Sequence, residues 1–502
     1  MNRKSGTTFS GQSSLRVMSS ALPTPFSRRE MLRQVACGFG HVAFLGLVGA
    51  SARAGSREPS LSNPLAPKLP QIDPKAKRVI FLFMHGGVSQ VDTFDPKPAL
   101  TARDSEPLPP AWRDGRDLGQ HLYRQKNLKL MRSPWEFHKY GQSGIEVSDL
   151  FPHISGCIDD LCVVRSMTHD LVTHAPATQA MHTGSGVFKW PSAGAWILYG
   201  LGTENQNLPG FMTICPPASD SGTHNYGSAF LPAAYQGTAL GRTTGLGHPD
   251  DGAQAQFMNL RPGDPYSVLQ RMELDWIQAE NQRHLKRAND NPQLEARIES
   301  FELAFRMQAT APEVVDISGE TKETLSQYGV GKQPTDNFGR MCLLARRFAE
   351  RGVRFIQASH SYKWDQHENI KAKHAENALE VDQPIAALLK DLKRRGMLDD
   401  TLVLWASEFG RTPVAEKKDG RDHNPYGFTI WMAGGGVRGG MTYGSTDEFG
   451  FFAVENKLTI HDLHATILHQ LGLNHKELSY HYGGRDFRPT DVHGEVVHDI
   501  LV

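Results

Sequence analysis

Histidine and carboxylate residues lie next to several segments that the sequence predicts to be buried strands. With the strand that each accompanies in parentheses, they are His85 (78–84), Asp365 and His367 (354–358), Glu408 (401–406) and His423 (427–432). In open α/β sheets, ligands bind just beyond the carboxyl ends of the strands. Imidazole and carboxylate groups gathered there suit Zn²⁺, Mn²⁺, Ca²⁺ or Fe. The pattern therefore predicts a divalent-metal site at one rim of a sheet, although any one of these histidines alone could be structural.

The elements that would position these residues alternate between strand and helix. Continuous apolar runs predict strands that are covered on both faces, at 78–84, 161–164, 354–358, 401–406 and 427–432. Helical periodicity appears at 336–351, 372–396 and 461–471. This alternation predicts an α/β fold with a mostly parallel central sheet and helices on both faces. Residues 205–330, loop-rich and then helical and charged, are predicted to be an insertion on that core.

The first 54 residues have the features of an export signal. Arg28 and Arg29 precede a short apolar stretch at 35–50, and Ala52-Arg53-Ala54 is a small-residue cleavage pattern. Paired arginines in this position predict export through the twin-arginine machinery, to the periplasm or the exterior. The apolar stretch of about 16 residues is shorter than the roughly 20 that span a bilayer. We therefore expect no membrane segment in the mature protein, with a retained anchor as the alternative.

Charge and cysteine content exclude some partners. The 502 residues include 54 basic and 54 acidic side chains; without the leader, 47 basic and 53 acidic residues remain, a net charge of −6. This charge gives no electrostatic reason to expect a nucleic-acid partner. A Pro- and Ser-rich linker or extended arm at 55–76 is predicted to lead into one α/β domain at 77–502. Cys157 and Cys162 are close enough in sequence to pair, but their spacing does not settle the connectivity.

Several long segments resemble domain-of-unknown-function family 1501, whose members carry twin-arginine leaders. They are MHGGVSQVDTFDPKP (84–98), WDQHENI (364–370), LDDTLVLWASEFGRTP (398–413), GRDHNPYGF (420–428) and MAGGGVRGGMTYGSTDE (432–448). That family is placed in the alkaline-phosphatase-like superfamily, with the sulfatases and phosphatases. The resemblance implies an alkaline-phosphatase-like core, with a one- or two-metal site built from the loops at the strand ends.

The resemblance also implies roles for individual residues. The implied metal ligands are His85, Asp365, His367, Glu408 and His423. His85 stands where an aspartate is usual in the superfamily, and Phe409 replaces the second ligand of the pair that begins with Glu408. The segment 174–184, HAPATQAMHTG, resembles the sulfatase nucleophile signature and puts His174 at the nucleophile position.

Histidine at position 174 disfavours a formylglycine mechanism, because only cysteine or serine can be oxidised to formylglycine. Three routes remain open. His174 could attack the ester directly; it could bind a metal whose hydroxide attacks, with Arg411 or Arg421 stabilising an oxyanion; or the site could bind without turnover. We therefore expect an exported metal-dependent hydrolase that acts on a phosphate or sulfate ester of a small molecule or polysaccharide. The alternative is a non-catalytic cell-envelope binding or assembly protein with the same fold.

Overall fold

The computed structural model describes residues 63–109, 128–241, 267–287, 292–360 and 362–502. The predicted export signal at 1–54 lies outside the described residues, as does the first part of the predicted linker. Among the described residues, no helix combines the length and the apolar character that crossing a membrane requires.

The described part of the chain contains seventeen strands and nine α-helices, besides short 3₁₀ helices. The strands are β1 (Arg78–Met84), β2 (Phe137–Tyr140), β3 (Ile145–Ser148), β4 (Leu161–Thr168), β5 (Phe211–Ile214), β6 (Thr238–Leu240), β7 (Phe355–His360), β8 (Thr401–Ala406), β9 (Gly410–Arg411), β10 (His423–Asn424), β11 (Phe428–Ala433), β12 (Met441–Tyr443), β13 (Ser445–Thr446), β14 (Ala453–Glu455), β15 (Leu458–Thr459), β16 (Tyr480–Tyr482) and β17 (Arg485–Phe487). The helices are α1 (Pro98–Ala102), α2 (His174–Thr183), α3 (Ala193–Leu201), α4 (Ser267–Arg287), α5 (Pro292–Val315), α6 (Lys322–Gln327), α7 (Asp336–Glu350), α8 (Ile370–Arg394) and α9 (Ile460–Gln470).

The core is a nine-stranded sheet in the order β12-β4-β11-β8-β1-β7-β5-β6, with β15 also beside β4. Every pair is parallel except the two that β11 makes with β4 and β8. The mostly parallel sheet and all five predicted strands are therefore confirmed. In the register of β1, Met84 lies opposite His360 of β7 and Phe83 opposite Ala406 of β8. The loops that follow these three strands thus leave the sheet at the same edge.

Helices cover both faces of the sheet, because alternate residues of each strand point to opposite sides. Ile80, Leu82 and Met84 of β1 join an apolar cluster with α7 and α8. Val79, Phe81 and Phe83 join a second cluster with α3 and α9. Each fully buried side chain of this size contributes about 1.5–3 kcal/mol relative to its exposed state. The two faces explain why the strands are continuous apolar runs in the sequence.

The predicted insertion at 205–330 is only partly correct. β5 pairs with β7, and β6 pairs with β5, so residues 211–240 extend the central sheet instead of standing apart from it. These strands have four and three residues, too few to show a strand period among glycines and prolines. The helical part of the prediction is confirmed, since α4 and α5 form two consecutive long helices.

Two smaller predictions differ from the structure. Residues 63–76 are not a free linker, because Leu65 and Ala76 are buried and backbone amides of this segment donate to carbonyls of α3 and the turn after α9. Cys157 and Cys162 are both unpaired. They belong to the apolar clusters on opposite faces of the sheet, which keeps their sulfur atoms apart.

Candidate metal centre at the carboxyl ends of the strands

The predicted site residues meet where β1, β4, β7 and β8 end. Their positions are His85 directly after β1, His174 at the first residue of α2, Asp365 and His367 in the loop after β7, Glu408 after β8, Arg411 in β9, and His423 in β10. The β9–β10 ladder places His423 opposite Arg411. Short connections from parallel strands therefore bring together residues that are more than 300 positions apart in the chain.

Three histidines converge on one carboxylate oxygen, Asp365 Oδ1. The Nε2 atom of His367 lies 2.9 Å from it, that of His423 3.2 Å, and that of His174 3.3 Å. Ligands bound to zinc at roughly 2.0–2.2 Å lie roughly 3.0–3.4 Å from one another for bond angles of 90–109°. The separation of each histidine from Asp365 lies in or close to that range.

The other ring nitrogen of each of these histidines is held by an acceptor. His174 Nδ1 donates to Glu408 Oε1 over 2.6 Å, and His423 Nδ1 donates to the Val172 carbonyl over 2.7 Å. His367 Nδ1 donates to Glu416 Oε2. These acceptors require the proton on Nδ1, so in each neutral imidazole Nε2 carries the lone pair. A carboxylate or carbonyl on the far nitrogen is the usual way in which proteins orient a metal-binding histidine.

The donor set fits a divalent cation. A single carboxylate oxygen cannot accept hydrogen bonds from three imidazoles and, in addition, from Arg411 Nη2, which lies 2.7 Å away. His174 Nε2 is buried and has no aligned hydrogen bond to any of the described residues. His174, Asp365 and His423 offer three ligand atoms that lie within 4.8 Å of one another, as do His367, Asp422 and His423. These residues could therefore hold a metal ion.

The electrostatics of the cluster also favour a cation. Burial raises the pKa of Asp365, but its contacts with the three histidines outweigh burial and keep the pKa far below its usual range. Burial likewise raises the pKa of Glu408, but the hydrogen bond from His174 outweighs it and lowers the pKa to about 2. Burial lowers the pKa of His423, whereas the hydrogen bond to Asp365 raises that of His367 to about 9. Two carboxylates in the centre thus remain ionised at neutral pH.

Glu408 and His85 do not share the position of the three histidines. The carboxylate of Glu408 is fully buried and accepts hydrogen bonds from His174 and from the backbone amide of Gly86 at 3.0 and 3.1 Å. It therefore orients His174 and does not face the point where the three histidines meet. His85 is also buried, and its Nε2 lies 3.0 Å from Asp220 Oδ2. The prediction that both residues are direct ligands does not fit this geometry.

Arg411 contacts Asp365, and each of its three side-chain nitrogens donates to an acceptor of the protein. Its Nε donates to the Gly87 carbonyl over 2.9 Å, its Nη1 to the Arg421 carbonyl over 3.2 Å, and its Nη2 to Asp365 Oδ1. The side chain is fully buried. Arg411 thus fixes the carboxylate, and the predicted oxyanion contact is replaced by this positioning contact.

Arg421 forms an ion pair with Asp92 and not with Asp365. Its guanidinium forms a double hydrogen bond with Asp92, at 2.7 and 3.1 Å, and both side chains are fully buried. Nη1 and Nη2 also donate to the carbonyls of Thr412 and Met131. The predicted oxyanion role of Arg421 does not fit this geometry, because all three side-chain nitrogens donate to acceptors of the protein and the side chain is fully buried.

Four side chains of the centre were missing from the sequence-based set. They are Tyr362, whose hydroxyl donates to Asp365; Asp220, which contacts His85; Glu416, which holds His367; and Asp422, which lies beside His367 and His423. Asp422 could have been found, because it directly precedes His423 in the sequence. Asp220 and Glu416 follow no predicted strand, so only the folded chain brings them to the site.

Comparison with known proteins assigns the family. The family described as "Protein of unknown function (DUF1501)" matches residues 76–501. The chain belongs to this family. No curated protein is significantly similar to this DUF1501 chain in sequence.

Several solved structures, one of them of a protein in the alkaline phosphatase superfamily, are similar to the DUF1501 chain. A superfamily protein from Vibrio parahaemolyticus is 10% identical, with 91% of this chain and 79% of that chain covered and a TM-score of 0.34. The lipoteichoic acid synthase LtaP from Listeria monocytogenes is 10% identical, with 80% and 73% covered and a TM-score of 0.32. The PsFucS1 sulfatase from Pseudoalteromonas sp. is 11% identical, with 79% and 68% covered and a TM-score of 0.31. Similarity at this level carries no information about the activity.

The candidate metal centre of the DUF1501 chain is partly open to solvent on one side and closed by an aromatic ring on another. Side-chain exposure is 30% for His367 and 20% for Asp365, so a solute can reach them. The ring of Phe409 is fully buried and lies 4.5 Å from that of His423 and 4.8 Å from that of His174. Phe409 therefore forms an apolar wall behind the histidines, where a carbon ring cannot bind a second ion.

Proposed function

We propose that this protein is an exported, metal-dependent hydrolase of the sulfatase and phosphatase type, which cleaves a phosphate or sulfate ester without a formylglycine nucleophile. The observation that supports this proposal is the convergence of three histidine Nε2 atoms on Asp365 Oδ1, each ring held at Nδ1 by an acceptor. A divalent ion held there would supply Lewis-acid polarisation of the ester and hydroxide at neutral pH.

Some residues of the centre would bind the ion, and others would orient its ligands. The ion would be held by ligands from His174, His367, His423 and Asp365. Glu408 would keep Nδ1 of His174 protonated, so that the lone pair of Nε2 stays available to the ion. The amino end of α2 begins at His174 and carries the positive end of the helix dipole. An anionic ester beside His174 would be favoured by that end.

Direct attack by His174 is the second mechanism that the geometry supports. Glu408 would then hold the ring in place while Nε2 attacks phosphorus. The P–O bond to the alcohol would break, the alcohol would leave, and water would hydrolyse the resulting phosphohistidine. The two mechanisms differ in a measurable way, because a phosphoramidate survives alkali and is lost in acid. Labelled phosphate that stays on the protein after an alkaline quench, and is absent from His174→Ala, would favour attack by His174. Turnover with no label retained would favour His174 as a ligand.

The alternative of a non-catalytic cell-envelope protein has one observation in its favour. Phe409 fills the place where the resemblance puts a second metal ligand, and its buried ring makes that part of the site apolar. A protein that binds an anionic group through one ion, without turnover, would tolerate this replacement. Metal content does not distinguish the hydrolase from the binding protein, whereas turnover does.

The decisive experiment measures metal content and turnover on the same preparation. Protein that begins at residue 55 is analysed for bound elements and screened against aryl phosphates, aryl sulfates and sulfated or phosphorylated polysaccharides. His423→Ala should lose both metal and turnover. His481→Ala is the matched control, because His481 is 69% exposed and contacts Asp486 on the surface. Metal-free wild-type protein without turnover would overturn the hydrolase, and metal-loaded protein without turnover would favour the binding protein.

Export through the twin-arginine pathway is part of the same proposal and has its own test. Residues 1–54 fused to a folded reporter should deliver the reporter to the periplasm. Replacement of Arg28 and Arg29 by lysine should abolish delivery, and so should a host without twin-arginine components. Delivery that survives both changes would contradict this part of the proposal.

A further inference from the structure

Tyr362 is a residue of the centre to which the sequence assigned no role. It lies in the loop between β7 and Asp365, and its hydroxyl donates to Asp365 Oδ2 over 2.8 Å. Its ring meets the ring of His85 edge to face at 4.7 Å and the ring of His174 at 5.0 Å. These two contacts hold the half-buried ring in one orientation, so the direction of its hydroxyl is set by packing.

The two oxygen atoms of Asp365 have different partners. Oδ1 faces His174, His367, His423 and Arg411. Oδ2 accepts the hydrogen bond of Tyr362. A carboxylate that binds an ion through both oxygens must turn Oδ2 toward that ion, and here this rotation would break the tyrosine hydrogen bond. The hydrogen bond therefore favours binding through Oδ1 alone.

We propose that Tyr362 is a positioning residue that keeps Asp365 a one-oxygen ligand and thereby makes the centre select a first-row transition ion such as Zn²⁺ over Ca²⁺. This inference rests on the proposed metal centre. Zinc takes about four nitrogen, sulfur or oxygen ligands, which three imidazoles and one carboxylate oxygen can supply. Calcium takes 6–8 oxygen ligands and often binds carboxylates through both oxygens. A carboxylate held by one oxygen among imidazoles disfavours calcium.

The experiment compares metal binding by the wild type, Tyr362→Phe and Tyr199→Phe. Tyr199→Phe is the matched control, because its hydroxyl donates to the Ser479 carbonyl, away from the cluster. Each protein, from residue 55 onward and freed of metal by chelation, is titrated separately with Zn²⁺ and Ca²⁺ by calorimetry. Loss of an outer partner of a ligand typically weakens metal affinity about 10–100-fold. We expect at least a tenfold loss of zinc affinity in Tyr362→Phe, a smaller ratio of zinc to calcium affinity, and wild-type values in Tyr199→Phe.

A double-mutant cycle shows whether Tyr362 acts through Asp365. In an Asp365→Asn background, Tyr362→Phe should have no further effect on zinc affinity, because the carboxylate that it positions is gone. An equal loss in both backgrounds would overturn the inference. Zinc binding by the wild type together with unchanged affinity in Tyr362→Phe would overturn the role of Tyr362 and leave the metal centre standing. A wild type that binds neither ion would overturn both.

Discussion

The role of Glu408 can be tested by a change of one atom, Glu408→Gln. The wild-type carboxylate is fully buried and receives the His174 Nδ1 proton over 2.6 Å. Its Oε2 lies 3.0 Å from Ser407 Oγ, whose own proton can go to the Met84 carbonyl 2.7 Å away. A glutamine can keep its oxygen toward His174 and place its amide nitrogen beside Ser407 Oγ, which also accepts from the backbone amides of Gly87 and Val88. The substitution preserves the shape of the site and removes the charge that holds the imidazole.

The magnitude follows from that hydrogen bond. A hydrogen bond to a charged group contributes about 1.5–3 kcal/mol net, and loss of an outer partner of a metal-binding histidine costs about 10–100-fold in affinity. These ranges agree, since tenfold corresponds to about 1.4 kcal/mol and a hundredfold to about 2.7 kcal/mol. We therefore expect Glu408→Gln to bind Zn²⁺ about 10–100-fold more weakly, with a smaller change in the stability of the metal-free protein.

The assay titrates metal-free protein with Zn²⁺ by calorimetry and follows urea unfolding in the presence of a chelator. Glu368→Gln is the control, because Glu368 is 61% exposed and contacts Lys417 at the surface. A folded Glu408→Gln protein whose zinc affinity stays within about twofold of the wild type would refute the reasoning. In that case His174 would not depend on Glu408 for its orientation or its protonation.

Three further predictions concern the scaffold around the centre. Asp92→Asn breaks a fully buried ion pair and should lower the free energy of unfolding by about 3–5 kcal/mol in urea; a loss below about 1 kcal/mol would contradict the structure. Gly86→Ala should destabilise the protein and weaken zinc binding, because Gly86 has φ +121° and a Cβ there would lie 2.7 Å from the Trp364 backbone nitrogen. An unchanged zinc affinity in this variant would contradict the prediction. Burial raises the pKa of Glu380, but the hydrogen bond from His360 and nearby charge outweigh burial and lower the pKa from 4.5 to about 2. The ionised carboxylate therefore contributes about 3 kcal/mol of stability above pH 4.5, and this contribution is lost as the pH falls toward 2. Chelated protein followed by urea unfolding should show this loss, and Glu380→Gln should reduce it; an equal acid sensitivity in the variant would disprove it.

The central strands could be predicted because the sheet buries them on both faces. β1 and β8 begin and end where the apolar runs 78–84 and 401–406 do, since any polar residue inside them would lose its water without a partner. β5 and β6 could not be predicted for the opposite reason. They are short. β5 is a strand because it pairs with β7, a neighbour more than 100 residues away, and β6 because it pairs with β5.

The site residues divide in a similar way. Asp365 and Glu408 both follow buried strands, and the sequence does not distinguish them. In the structure Asp365 faces three imidazoles, whereas Glu408 accepts a hydrogen bond from Nδ1 of His174. Arg411 and Arg421 both belong to conspicuous motifs, yet Arg411 contacts Asp365, whereas Arg421 forms a buried ion pair with Asp92. Local sequence states which groups can donate or accept, but the direction of each side chain depends on partners far along the chain.

By itself, the sequence determined the kind of fold, the edge of the sheet that carries the polar residues, and their chemistry, because burial and strand order leave a local signature in the pattern of side chains. The tertiary structure decided which of those residues surround one point and which support them. It also brought Tyr362, Asp220 and Glu416 to the centre. The physical reason is distance: a ligand set is defined within about 3 Å, and only the packed sheet brings loops hundreds of residues apart within that distance.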